Sequence, residues 1–563
     1  MRNFKVLVFV VFMLGCGRSE GQSWVWGSQG VDATNGDVEG WNLTKDYRCN
    51  LYLTGDIRGS CSFGSLVMHA SSPGGSIYIA KFDSNGNPIW ENVSTGYGGG
   101  DLYGSTTDKG GNTYSTGVFV DTMDFGSYKI FSPFTQNIFL VKYDTGGYAK
   151  WAIQGHESSV NCRPVSESVA VDSNGNVYIS GYFNDTLVLG IDTLKSILAG
   201  AFFIAKYDSS GNFKWAHQSL SGTNSQYARG FGVAADKLGN AYATGYFYQD
   251  MYIGNDTLAN GGFFLLKYDS IGNLIWATKT ITFCIPATII LDNERNIYIT
   301  GFFGDSVQFG AFDFHGNIHH SIFLVKYNSV GNVVWANAGI SNDSNGWSGY
   351  SLAIDKSKNV YLSCGEYGNR LRAKVIFNRD TFALDSATDA LLVAKFDSNG
   401  KMLCGSILPS GGDDNSGITL NPSETFVYVG GDFWQNVIVG KDTLYEIPYS
   451  EEYPFIAKWQ PCSDTNITTS IPPISTSPSL TLFPNPNTGA FTLEVNSGQG
   501  LVDSKMQVEV YNVLGEKVYS SNYSLSTNHY SLDLSSQPNG IYLYRVMDDS
   551  GALVGSGKFV IQK

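Results

Sequence analysis

Short apolar runs bounded by Asp, Asn and Gly follow one another along most of the chain. Almost no stretch carries apolar residues at i, i+3, i+4 and i+7, so the pattern predicts strands and tight turns rather than helices. In VAVDSNGNVYISGYF (169–183), two strand-like runs flank Ser173-Asn174-Gly175-Asn176. In FFIAKYDSSGNFKWA (202–216), two more flank Ser209-Ser210-Gly211-Asn212. Both turns open on Asp and close on Gly-Asn. The Asp side chain accepts from an N–H two residues on, and Gly supplies the positive φ of a tight hairpin.

Both motifs recur. Tyr52, Tyr114, Tyr178, Tyr242, Tyr298, Tyr361 and Tyr428 mark seven copies of the first, spaced 62, 64, 64, 56, 63 and 67 residues apart. The second begins a seventh copy at PFIAKW (454–459) and meets Pro461 before its Trp run. SWVWGSQG (23–30) resembles that missing run, so Trp26 is expected to pair with Phe455–Trp459 and close a ring. The Trp position then reads Trp26, Trp90, Trp151, Trp215, Trp276, Trp335 and Cys404. Four strands per unit and seven units predict an all-β chain, a seven-bladed β-propeller over 23–460. Residues 461–479, rich in Pro, Ser and Thr, read as a linker, and alternating strands over 480–563 as a small C-terminal β-sandwich.

Composition adds a compartment. Arg2 and Lys5 flank an apolar stretch, Val6 to Gly15, followed by Gly21 and Ser23; residues 1–22 read as a signal peptide, with lipidation at Cys16 as the alternative. Loss of 1–22 removes three basic residues and one acidic, taking the formal charge from −14 to −16. Such an acidic chain repels phosphate backbones, which argues against nucleic acid as partner. No second apolar stretch predicts a transmembrane segment in the mature chain. Seven cysteines remain, without zinc-type spacing, and Cys49 and Cys61, which bracket one strand pair, are a candidate disulfide.

The repeats resemble the SBBP-type bacterial β-propeller family, whose units share a D-x-x-G-N-x-Y-x-T-G pattern. Blade seven departs from it at Asn421-Pro422-Ser423-Glu424-Thr425, as does Cys404. The tail resembles the type A C-terminal sorting domain of the type IX secretion system. Three segments match in order: Pro484-Asn485-Pro486-Asn487-Thr488-Gly489, then Tyr511-Asn512 leading to Gly515, then Gly540-Ile541-Tyr542. That resemblance implies handling by the type IX machinery, passage through the periplasm, removal of the tail, and release or anchoring at the outer cell surface.

Chemistry is sparse. The Asp-turns miss the calcium-loop ladder, and no Gly-x-Ser-x-Gly, His-Glu-x-x-His or phosphate loop appears, so no catalytic residue, metal or cofactor is expected. His156, His217, His315, His319 and His320 are scattered. Arg163, Arg229 and Arg295 fall in successive units, the first two on connections between units. The Asp-turns should share one face of the ring, leaving the connections after each Trp and the VLGIDTL-type excursions on the other. The function expected is a non-catalytic binding or adhesion module for a surface polysaccharide or protein; the alternative is a secreted glycan hydrolase or lyase. An exposed aromatic patch on the variable face favours binding, and a convergent carboxylate pair favours the enzyme.

Overall fold

The computed structural model describes residues 23–563 apart from 33–36, 73, 134–135, 158–160, 221–226, 281, 317–319, 342–345, 368–373, 378–379, 384–389, 410–416, 434–435, 446–452, 464–478, 484, 486, 497–504, 513–515, 525–528 and 549–552. The signal-like segment, Cys16, Pro484, Pro486, Gly515 and most of the linker lie outside the described residues. The chain divides into two compact units between Asn466 and Ile467.

All regular structure described is β. In the first unit, seven antiparallel sheets share one four-strand order among the described residues. The third is typical: Val165–Val171, Val177–Leu189, Asp192–Tyr207 and Phe213–Gln218. Each sheet's first strand lies against the first strand of the next, and Asn42–Lys45 of the first lies against Gly417–Leu420 of the seventh. The seventh sheet takes its fourth strand from Ser23–Gln29, which pairs with Tyr453–Gln460. Trp26 stands opposite Lys458, as Trp90 does Lys81 and Trp215 does Lys206. Phe455 pairs with Gln29, and Trp459 with Trp24.

The Asp-turn fixes the first hairpin of six sheets, and in the seventh Asn421 Oδ1 takes the Asp's place by accepting from Phe426 N–H. Asp172 Oδ1 accepts from the backbone N–H groups of Asn174 and Asn176, and Oδ2 from the Asn176 side chain at 2.7 Å. Gly175 holds φ at +80°, where an L residue is strained. Tyr178, fully buried, donates to Asp172 at 3.1 Å and to the carbonyl of Gly239 in the next sheet at 2.9 Å. The repeated Lys joins neighbouring sheets too. Lys206 reaches the carbonyl of Ser270 at 2.9 Å and lies 5.0 Å over the Tyr178 ring, while Trp215 reaches the same carbonyl. Lys81, Lys142, Lys267, Lys326 and Lys395 repeat the contact with the following sheet. Apolar cores fill the spaces between the sheets.

Two expectations are corrected. The VLGIDTL-type excursions, read as variable loops, are a third regular hairpin. Asp185–Leu189 pairs with Asp192–Ser196, turning at Gly190 (φ +59°), and the turn recurs at Gly64, Gly126, Gly254, Gly310 and Gly440. Each folds back on its sheet's fourth strand, where Gln154 and Gln218 exchange two hydrogen bonds with the backbone of Phe131 and Lys195. No bridge joins Cys49 to Cys61. They sit beyond opposite ends of the strand Leu51–Arg58, and eight residues at about 3.3 Å per residue far exceed disulfide reach. Cys404 is instead bonded to Cys462.

The second unit has two sheets. Ser479–Phe483, Ala490–Asn496 and His529–Asp533 form one; Lys517–Ser524, Lys505–Asn512, Gly540–Asp548 and Leu553–Ile561 form the other. Phe491, Leu493 and Leu532 pack with Val508, Val510, Tyr542 and Phe559 in one shared core, a sandwich.

Candidate functional site

A cavity of about 510 Å³ is lined by the first strands of all seven sheets. Near the start of these strands the ladder slips by one residue at the same place in successive sheets. A bulge re-aims the extra side chain. The extra residues are Tyr103, Glu167, Phe231, Ala287 and Tyr350, and Trp41, which shares Thr54 with Asn42, is their counterpart. All six line this cavity. They make a half-buried collar, largely aromatic, toward the end where chain enters each sheet and away from the Asp-turns. Trp41 and Tyr103 meet edge to face at 5.8 Å. Glu167 is the collar's one carboxylate. Burial raises it to about 7, against the opposing pull of Arg229.

Beside the collar lies a second cavity, about 380 Å³, lined by Tyr103, Gln136, Arg163, Tyr182, Tyr227 and Arg229 among others. The structure thus brings Arg163 and Arg229 together, Arg163 from the segment before the third sheet and Arg229, expected on a connection, from the strand Tyr227–Ala235, where it stands opposite Tyr246. Arg295 does not join them; it occupies the Gly place of an Asp-turn at the opposite end, with φ +68°. The Arg229 guanidinium lies 4.5 Å over the Tyr182 ring and 5.8 Å from that of Tyr227. Tyr227 leads into an aromatic cluster. Its ring is 4.6 Å from Tyr248, which is 4.9 Å from Phe283, with Tyr246 alongside. Tyr248 and Phe283 are 39% and 38% exposed.

The same end of the first two sheets holds a carboxylate group. Asp56 is buried and accepts from the Leu102 N–H at 2.8 Å. Burial, then the charge of Asp101, raises its carboxyl well above the usual range. Arg58 bonds Asp37 at 2.7 Å and stands 3.7 Å from Asp101.

Other sequence candidates are structural. The Asp-turn carboxylates are occupied by their own turns' donors. Among the described residues, no group of three His, Cys, Asp or Glu could hold a metal. His217 is stacked on Tyr268 at 5.2 Å, burial lowering its basicity, and His320 on Phe302 at 4.0 Å. His315 is exposed, 3.6 Å from Asp313, His156 sits in a two-residue strand, and His319 lies outside the described residues.

In the tail, the motif residues form joints. Asn485 Oδ1 accepts from Val560 N–H, and Asn487 pairs by backbone with Val560 and Gln562. Gly489 (φ +106°) lies so close to Ser535 that a Cβ could not fit. Asn512 closes its hairpin through Glu516. Gly540 pairs with Ile561, and Tyr542 donates to the Pro538 carbonyl at 2.8 Å. Tyr511 donates to Glu509, which also takes Lys517 at 2.7 Å and Arg545 at 2.6 Å.

Residues 481–562 match the secretion system C-terminal sorting domain. That domain implies export to a secreted or cell-surface location and interaction with the secretion machinery. Among the described residues, no helix is long and apolar enough to cross a membrane. An uncharacterised WD repeat-containing protein of Acanthamoeba polyphaga mimivirus is 25% identical, covering 61% of this chain and 30% of its own length. The chain therefore spans under a third of that relative. Among solved structures, a protein of unknown function from Dyadobacter fermentans aligns at TM-score 0.36 and 7% identity, covering 79% of this chain and 98% of its own. Virginiamycin B lyase from Staphylococcus aureus aligns at TM-score 0.29 and 8% identity, over 64% and 95%.

Proposed function

We propose that residues 23–460 form a closed seven-bladed β-propeller of the SBBP kind that serves, outside the cell, as a non-catalytic binding module for glycan. Ring closure is supported by the cyclic contacts of the first strands and by Ser23–Gln29 completing the seventh sheet. Residues 1–22 are the signal that takes the chain to the periplasm, and the tail, recognised by the type IX machinery, is removed after outer-membrane passage.

One observation carries the binding reading: the aromatic cluster at the mouth of the ring, in which exposed Tyr248 and Phe283 pack on half-buried Tyr227 and buried Tyr246. Aromatic faces offer broad, weakly hydrated contact for the C–H face of a sugar, with little side-chain entropy to lose. The test is thermal denaturation of the chain from residue 23 against a panel of polysaccharides and matrix proteins. Ligand well above its Kd stabilises a binder by a few kcal/mol. Recovery of intact glycan with raised Tm supports the module; no shift with any glycan counts against it.

The glycan hydrolase reading draws on Asp56, whose raised carboxyl beside Asp101 has the makings of an acid and a base. Shortened glycan after incubation, abolished by Asp56→Asn, would favour that reading.

A further inference from the structure

We infer that the cavity holding Arg163 and Arg229 binds a carboxylate-bearing sugar, the acidic unit of a uronate-type polysaccharide. The inference rests on the binding-module reading above and names its ligand class. Among the described residues no Asp or Glu lines this cavity, although the chain carries a net charge of −14. It is a cationic recess in an acidic protein. Among the described residues, no carboxylate lies within 4.0 Å of either arginine. Glu167, the acid that acts on Arg229, lines the central cavity and not this recess.

The arginine is also held for use. Tyr182 and Tyr227 engage the guanidinium through their rings at 4.5 and 5.8 Å. Ring contacts of this kind leave the in-plane N–H groups, the fork that matches a carboxylate. Arg163 is exposed, its backbone fixed by Asn184 Oδ1 at 2.8 Å. Gln136 is pinned by its Nε2 to the Pro164 carbonyl at 3.0 Å, which keeps an amide at the rim.

The remaining walls select a sugar over a bare anion. At about 380 Å³ the recess lies in the range of organic-ligand sites. An inorganic oxyanion would leave most of it to water, each molecule of which takes about 30 Å³. Tyr103, Tyr182 and Tyr227 contribute ring surface suited to a pyranose face.

The test is calorimetric titration of the chain from residue 23 with trigalacturonate, its methyl ester and a sulfated galactotriose. We expect trigalacturonate to bind at least tenfold tighter than the ester and more tightly than the sulfated sugar. Arg229→Gln and Arg163→Gln should each cost at least tenfold at unchanged Tm; Arg48→Gln, in an Asp-turn at the other end, should cost nothing. Should Arg229→Gln fail to fold, exposed Arg163 keeps the test intact. Equal binding of acid and ester would overturn the carboxylate claim while leaving glycan binding standing. Preference for the sulfated sugar would overturn the ligand class. Failure of all three would overturn the inference, while the polysaccharide panel would judge the wider reading separately.

Discussion

Cys404 is bonded to Cys462 where the other sheets set a tryptophan against the next sheet's turn. Trp90 covers Gly147, Trp151 covers Gly211 and Trp335 covers Gly400, so closely that a Cβ on any of these glycines would meet the ring. The seventh sheet has no such turn, because the chain leaves after Tyr453–Gln460. A covalent bond takes over that junction, and Lys395 still reaches the carbonyl of Cys462.

Cys404→Ser should therefore destabilise the first unit. Closing 58 residues is worth about 4 kcal/mol by loop entropy, and native bridges typically deliver ~2–4 kcal/mol. Guanidinium unfolding with and without reductant checks this; the variant should match the reduced protein.

Tyr178→Phe tests the joint between sheets three and four. It removes buried hydrogen bonds to Asp172 and Gly239, leaving the acceptors short of a donor, at about 1–3 kcal/mol. Chemical denaturation should show that loss, and Tyr97→Phe, at an exposed ring, should show none.

The tail should lose stability in acid through Glu509. Lys517 first, then Tyr511 and Arg545, hold its carboxyl down to about 2. A depressed carboxyl contributes stability above its unfolded value near 4.5, lost as pH falls toward 2. Melting between pH 5 and 2 should fall less steeply in Glu509→Gln, which should be the weaker protein at pH 7.

Glu167 has the opposite sign. Its folded value, about 7, lies above the ordinary 4.5, so its contribution is present below pH 4.5 and lost as pH rises through 7. Glu167→Gln should gain on the native protein between pH 5 and 8 in a melting series.

The four-strand unit was legible because its chemistry is local. Asp172, Gly175, Asn176 and Tyr178 specify one hairpin wherever they recur, and Trp26 and Lys458 find each other through the same pattern. The third hairpin was harder to read, since only a Gly in a short apolar stretch marks it. The Cys404–Cys462 bond leaves a trace in the sequence, since both residues fall where the repeat breaks. The collar also leaves a trace, five residues before each turn Asp, as Tyr103 before Asp108 and Phe231 before Asp236. Its residue types differ from unit to unit, and a bulge announces itself only in the ladder. That Arg163 and Arg229 share a recess follows from the neighbouring of two sheets, which no local pattern contains.

The most direct test sets the Asp-turn end of the seven sheets against the opposite end. Tyr248→Ala/Phe283→Ala removes the aromatic surface at the mouth, and Tyr47→Ala/Tyr148→Ala removes exposed tyrosines at the turn end. Binding of both variants to the polysaccharide that raises the native Tm should be measured by titration. The account predicts at least a tenfold loss for the first pair and none for the second. Undiminished binding by the first pair, or loss confined to the second, would contradict it.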